Sequence, residues 1–115
     1  MLREAPMPVK TEINISSDED LANTIDNMIE RLETVGWRKH NIGMENGPNC
    51  VIGALFWVDR EKYSAPFIGI HQDYMFALEE AMGIDNLPKW NDRPWRTKGQ
   101  VIRKLQRTAN KLREA

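Results

Sequence analysis

Apolar residues in the first third of the chain recur at the spacing of one helical face. Leu21, Ile25, Met28, Ile29, Leu32 and Val35 fall at i, i+4, i+7, i+8, i+11 and i+14. Ser17 stands just ahead and can accept from the free N–H groups of a first turn, while Asp18, Glu19 and Asp20 suit the positive end of a helix dipole. Asp26, Glu30, Arg31 and Glu33 occupy the other side. The pattern predicts an amphipathic helix with an acidic outer face. Gly36 followed by Trp37 reads as a left-handed C-cap with an apolar residue folding back on the last turn.

The longest uncharged apolar run, Cys50 to Val58, shows no such division into faces. A helix that is apolar all round is buried all round, although periodicity alone does not separate it from a buried strand. Pro48 tips the reading toward a helix, because a proline at the first helical position loses nothing by lacking its N–H. Gly53 and Ala54 are small enough for neighbouring elements to come close, and Asp59, Arg60 and Glu61 close the run.

Farther along, Met75, Leu78, Ala81 and Met82 share a face of a helix that starts at His71 or Gln72, and Gly83 with Ile84 repeats the C-cap pattern. Residues 85–96 carry Pro88, Pro94, Trp90 and Trp95 and read as a long connection tied down by its own side chains. Thr97 with Gln100 makes a capping box. In the helix it opens, Val101, Ile102, Leu105, Ala109 and Leu112 gather on one side and Arg103, Lys104, Arg107 and Lys111 on the other. Residues 1–16, with Pro6 and Pro8, lack helical spacing and are expected to form an extended or poorly ordered arm; residues 38–46 admit at most a short β-hairpin. The expected fold is mainly α: a compact four-helix single domain, residues 17–115, around the buried central helix.

Composition changes this picture little, since 41% apolar and 29% charged residues are ordinary for a globular chain. Charge changes it more. Residues 1–87 hold 7 basic and 15 acidic side chains, a net of −8, whereas residues 88–115 hold 9 basic and 2 acidic ones, a net of +7. Such asymmetry points either to nucleic-acid or membrane contact or to an internal balance between a basic helix and acidic ones. No apolar run approaches a membrane span, and the first residues lack the pattern of a secretory signal, so a cytoplasmic protein with no membrane partner is expected. The single cysteine makes no internal disulfide, and no Cys/His cluster has zinc-ligand spacing. No phosphate loop, dinucleotide fingerprint or nucleophile elbow occurs either, so no cofactor or metal is expected.

A few short motifs together resemble a family of small uncharacterised proteins of actinobacteria and their phages. They are Gly36-Trp37, Cys50 with Gly53-Ala54-Leu55, Trp90-Asn91-Asp92, and Thr97 through Val101. The likeness runs from Leu21 to Leu112, and Trp-Asn-Asp before a Thr-capped helix is its most specific part. It implies a mainly helical domain, often phage- or prophage-encoded, with no assigned activity. The chain is richer in Lys, Asn and Ile than such proteins usually are.

Three sets of residues carry candidate chemistry, each beside a plainer reading. Cys50, His71 and Asn91 are the ingredients of a cysteine hydrolase, with a thiol at a helix start, a histidine to activate it and an amide to orient the ring; the plainer reading is a packed cysteine. Trp90, Asn91 and Asp92 can form a recognition site, or Asn91 and Asp92 can tie an Asx-type turn while Trp90 fills the core. Arg93, Arg96, Arg103, Lys104, Arg107 and Lys111 can neutralise phosphates, or they are a solvated face balanced by the acidic first helix. The leading expectation is a non-catalytic accessory protein that binds an unknown host or phage macromolecule. Nucleic-acid binding through the last helix and a Cys50 hydrolase are the alternatives.

Overall fold

The computed structural model describes residues 17–43, 45–63 and 72–114. The expected arm over residues 1–16, His71 and Met44 lie outside the described residues. Helix α1, Asp18–Val35, begins as its sequence dictates: the Ser17 hydroxyl accepts the Asp20 N–H at 3.1 Å, with three carboxylates in the first turn. Its inner side buries Leu21, Ala22, Ile25, Met28, Ile29 and Leu32. Helices α2, Val51–Tyr63, and α3, Gln72–Met82, follow. Next come α4, Leu87–Asn91, and α5, Lys98–Glu114. Among the described residues there is no strand; Trp37 and Asn49 pair as an isolated parallel bridge where a hairpin was the most the sequence admitted.

The apolar run is the dry helix its composition predicts. Val51, Ile52, Gly53 and Ala54 bury the whole first turn, with Leu55 and Val58 behind them, while Phe56 and Trp57 reach partial exposure. Gly53 is required there: a Cβ at this position would sit 1.9 Å from the carbonyl oxygen of Ile42, so only a glycine lets that loop lie on the helix. The widest packing belongs to α1, which lies along α5 and also meets α2 and α3. Helix α5 answers with Val101, Leu105, Thr108 and Ala109 buried, and its capping box is formed, Thr97 and Gln100 each accepting the other's backbone N–H.

Several local expectations need correction. Helix α2 starts at Val51, not at Pro48, because Cys50 takes the capping position and Asn49 is drawn into the bridge with Trp37. Gly36 does not make a Schellman cap: its ψ of 167° sends the chain out extended, so Trp37 leaves the helix instead of folding onto it. Gly83 does make one, with φ +72° and the N–H groups of Gly83 and Ile84 reaching the carbonyls of Glu80 and Glu79. The connection over residues 85–96 contains α4, capped by the Asn86 side chain on the Lys89 N–H at 2.9 Å. Tyr74, not among the expected face residues of α3, is 1% exposed and donates to Asp20 on α1.

Candidate functional site

Asn91 ends α4, is fully buried, and joins three parts of the chain. Its carbonyl oxygen accepts the Trp37 indole N–H at 2.7 Å and the Val51 backbone N–H at 3.0 Å. Its amide nitrogen donates to the Arg38 carbonyl at 3.2 Å and to the Asp92 carboxylate at 2.9 Å. A side-chain amide offers two acceptor lone pairs and two N–H groups, and here all are used. One of the free N–H groups at the start of α2 is thereby capped from α4, forty residues away in sequence. This is a tie between distant segments, not the local Asx turn that Asn-Asp before a proline suggests.

Cys50 caps the same helix end. Its sulfur accepts the Gly53 N–H at 3.3 Å, the geometry that serine or threonine supplies at an N-cap. Burial pushes the Cys50 thiol above its ordinary pKa and the Asp92 carboxylate adds to that, against the lowering effect of the Gly53 and Ile52 N–H groups. The residue is 7% exposed. The protonated thiol is thus favoured, although the helix start would by itself favour a thiolate.

Asp92 accepts the His40 backbone N–H at 2.9 Å, and its other oxygen lies 3.3 Å from His40 Nδ1. Partial burial would raise the pKa of Asp92, but hydrogen bonds from Asn91 and from His40, together with the His40 ring, bring it below the ordinary carboxylate value. His40 has φ +68°, a left-handed conformation, and an exposed ring. Cys50, Asn91, Asp92, His40, Ile42 and Pro88 line one shallow hollow of about 210 Å³. The structure therefore brings Cys50 and Asn91 together, with His40 on that rim; His71 is outside the described residues. Sequence reading missed His40 as a neighbour because the Asp92 that holds it lies 52 positions on, beyond the reach of any local spacing rule.

The connection from Trp90 to α5 is held by its own side chains. Arg96 donates through Nε to the Trp90 carbonyl at 2.8 Å, and its guanidinium lies 4.0 Å above the Trp90 ring. Burial and the neighbouring Arg93 both lower the Arg96 pKa. Residues 93–96 form a β-turn, the Arg96 N–H reaching the Arg93 carbonyl, with Pro94 at the position proline favours. Lys39 braces the turn by donating to the Pro94 carbonyl at 3.0 Å. Trp95, at the tip, is 62% exposed, with the Arg93 guanidinium 5.8 Å from its ring centre. Trp90 is tied down as its setting predicts; Trp95 is not.

On α5, Arg103, Arg107 and Lys111 are exposed and Lys104 is half-buried. Among the described residues none of these four has an ion-pair partner, whereas Arg113 on the same helix bonds Asp26 at 2.7 Å, Asn23 at 2.8 Å and lies 3.6 Å from Glu19. These α1 partners hold the Arg113 pKa above its ordinary value. Lys104, Arg107 and Lys111 line a groove of about 390 Å³ between α3 and α5, with Met82 on its floor and Glu114 at its end. Among the described residues, the ion pairs of α5 with α1 are thus made in its last turn.

Among the described residues no three of His, Cys, Asp and Glu gather as metal ligands, and no helix is long and apolar enough to cross a membrane. No curated protein and no solved structure matches the chain. Residues 16–111 match the model of a family of unknown function, DUF6197, and the chain belongs to that family.

Proposed function

We propose that this protein acts by binding a macromolecular partner, without catalysis, as a phage- or prophage-encoded accessory protein in the host cytoplasm. The observation that carries the reading is the state of Asn91: its side chain is committed to four internal hydrogen bonds and has nothing left to offer a substrate. Cys50 supports it, as a buried cap whose thiol is held protonated. The phage origin rests on the likeness of the Gly36-Trp37, Cys50 and Trp90-Asn91-Asp92 motifs to small proteins of actinobacteria and their phages. Pull-down from host lysate tests it, with native protein and an Arg103→Glu, Lys104→Glu, Arg107→Glu, Lys111→Glu variant as baits. A partner held by the first and not by the second is expected. No partner, together with turnover of a small substrate by the purified protein, would reverse the reading.

A second reading has its own observation. Four cations on α5 form no ion pair among the described residues, so they are available to phosphates. Nucleic acid held this way binds mainly through charge, and its affinity falls steeply with salt. A mobility shift at low salt that the fourfold Glu variant abolishes is the expected outcome; no shift at low salt ends this reading.

A further inference from the structure

We infer that Trp95, with Arg93 beside it and just ahead of the helix that carries the α5 cations, is a base-stacking platform, so that the nucleic acid this protein takes is single-stranded. The inference rests on the nucleic-acid reading and adds the strandedness of the ligand. Trp95 stands apart from the other indoles in its exposure. Trp37 is anchored through its N–H to Asn91, and Trp90 lies under Arg96. Trp95 shows 62% of its surface to solvent at the tip of a turn.

The turn is not a loose loop that happens to carry an aromatic. The Arg93-to-Arg96 hydrogen bond closes it, Lys39 holds Pro94 from the far side, and Arg96 is locked onto Trp90. A rigid mount lowers the ordering cost of binding to the ring it presents. Arg93 lies 5.8 Å from the centre of that ring, so a base settling on the indole meets a cation at the same place. Aromatic faces combined with a cationic track are the means by which proteins hold unpaired strands, because every base has a face to stack and every nucleotide a charge to neutralise.

Cations follow the turn in sequence. Helix α5 opens three residues after Trp95, at Lys98. The Arg103 guanidinium folds back over its first turn, lying 3.2 Å from where a Cβ of Gly99 would be, which brings that charge to the end of the helix the turn leads into. Arg103, Arg107 and Lys111 then follow at i, i+4 steps, each about 6 Å farther along the axis. A duplex has its bases already stacked inside and offers no face to Trp95, and an acidic polypeptide has charge but no bases. The combination selects unpaired nucleotides.

The test is titration of the full chain with a fluorescein-labelled twelve-residue oligothymidylate at low salt, reading oligonucleotide anisotropy and tryptophan fluorescence. The same titration is run with a duplex of equal length and with polyglutamate. Preference for the single strand with quenching of tryptophan emission is expected. Trp95→Ala then weakens the single-strand complex roughly tenfold or more, and Trp95→Phe restores most of the loss. Circular dichroism of both variants should match the native chain, since the replaced ring is exposed. If the duplex binds as well as the single strand, or Trp95→Ala changes nothing, the platform is refuted while nucleic-acid binding stands. If neither nucleic acid binds, or only polyglutamate does, the underlying reading falls with it.

Discussion

The corner around Asn91 and the outer face of α5 treat their polar groups in opposite ways. In the corner, donors and acceptors from segments 40 to 54 positions apart meet one another: Asn91 joins Trp37, Arg38 and Val51, and its neighbour Asp92 joins His40. On α5, Arg103, Lys104, Arg107 and Lys111 have no ion-pair partner among the described residues, and Arg113 alone reaches α1. Both regions look chemical in the sequence. The difference teaches that the more distinctive motif, Trp-Asn-Asp, helps close the fold, while the plainer row of basic residues is left facing solvent.

This contrast makes definite predictions for stability. Asn91→Ala should be the most damaging exchange in the corner, because the Val51 N–H, the Trp37 indole N–H and the Arg38 carbonyl all lose their partner. At about 1–3 kcal/mol per buried polar group left alone, a loss of about 4 kcal/mol in urea unfolding is expected. An unchanged midpoint would return Asn91 to the list of functional residues. Gly53→Ala comes next, at about 3 kcal/mol, because its methyl group meets the Ile42 carbonyl and the loop must move off α2.

Asp92 gives a smaller effect with a definite sign. Its pKa is below the ordinary carboxylate value when folded, so its contribution to stability is present above about pH 4, the value in an unfolded chain, and is lost as pH falls through the lower folded value. The native chain should therefore be more stable than Asp92→Asn at about pH 5, and the difference should shrink below about pH 4 and vanish once the folded carboxyl is protonated. A difference that persists undiminished in strong acid would mean the carboxylate is not held by His40 and Asn91 as described. Smallest of all is the fourfold Glu variant of α5, expected to stay within about 0.5 kcal/mol of the native chain, as surface exchanges usually do. A large loss of stability there would show that the cations are internally engaged.

Much of the fold was legible before any coordinates, and the reason is local. Ser17 ahead of an i, i+4 series, Thr97 with Gln100, and Gly83 before Ile84 each act within one helical turn, where sequence neighbours are also neighbours in space. Gly36-Trp37 has the same letters as a Schellman ending and failed as one, because the bridge to Asn49 and the bond to Asn91 draw Trp37 outward. Pro48 misled for the same kind of reason: the segment before α2 is shaped by Asn49 and Cys50, not by proline at a first turn. Helix α4 escaped notice because five residues, with Pro88 among them, carry no periodicity, although Asn86 ahead of Leu87 is an ordinary cap.

The site was legible only as a list of residue types. That Cys50 and Asn91 share one helix end, and that His40 is the histidine on their rim, depends on contacts across forty to fifty-four residues. No periodicity marks Trp90, under Arg96, as more buried than Trp95, in solvent, since both lie in the same irregular connection. The basic face of α5 was readable from its hundred-degree rotation per residue, but its lack of ion pairs among the described residues was not, because that required knowing that the α1 carboxylates pair with Arg113.

Alkylation of Cys50 by iodoacetamide near neutral pH, followed as urea is raised, probes most directly whether the Asn91 corner is spent on structure. A buried thiol that caps Gly53 should react only as fast as the chain opens, so labelling should stay slow in the native protein and accelerate through the unfolding transition. Rapid labelling of the folded chain, slowed when His40 is replaced by alanine, would contradict this and place reactive chemistry where only a helix cap is described.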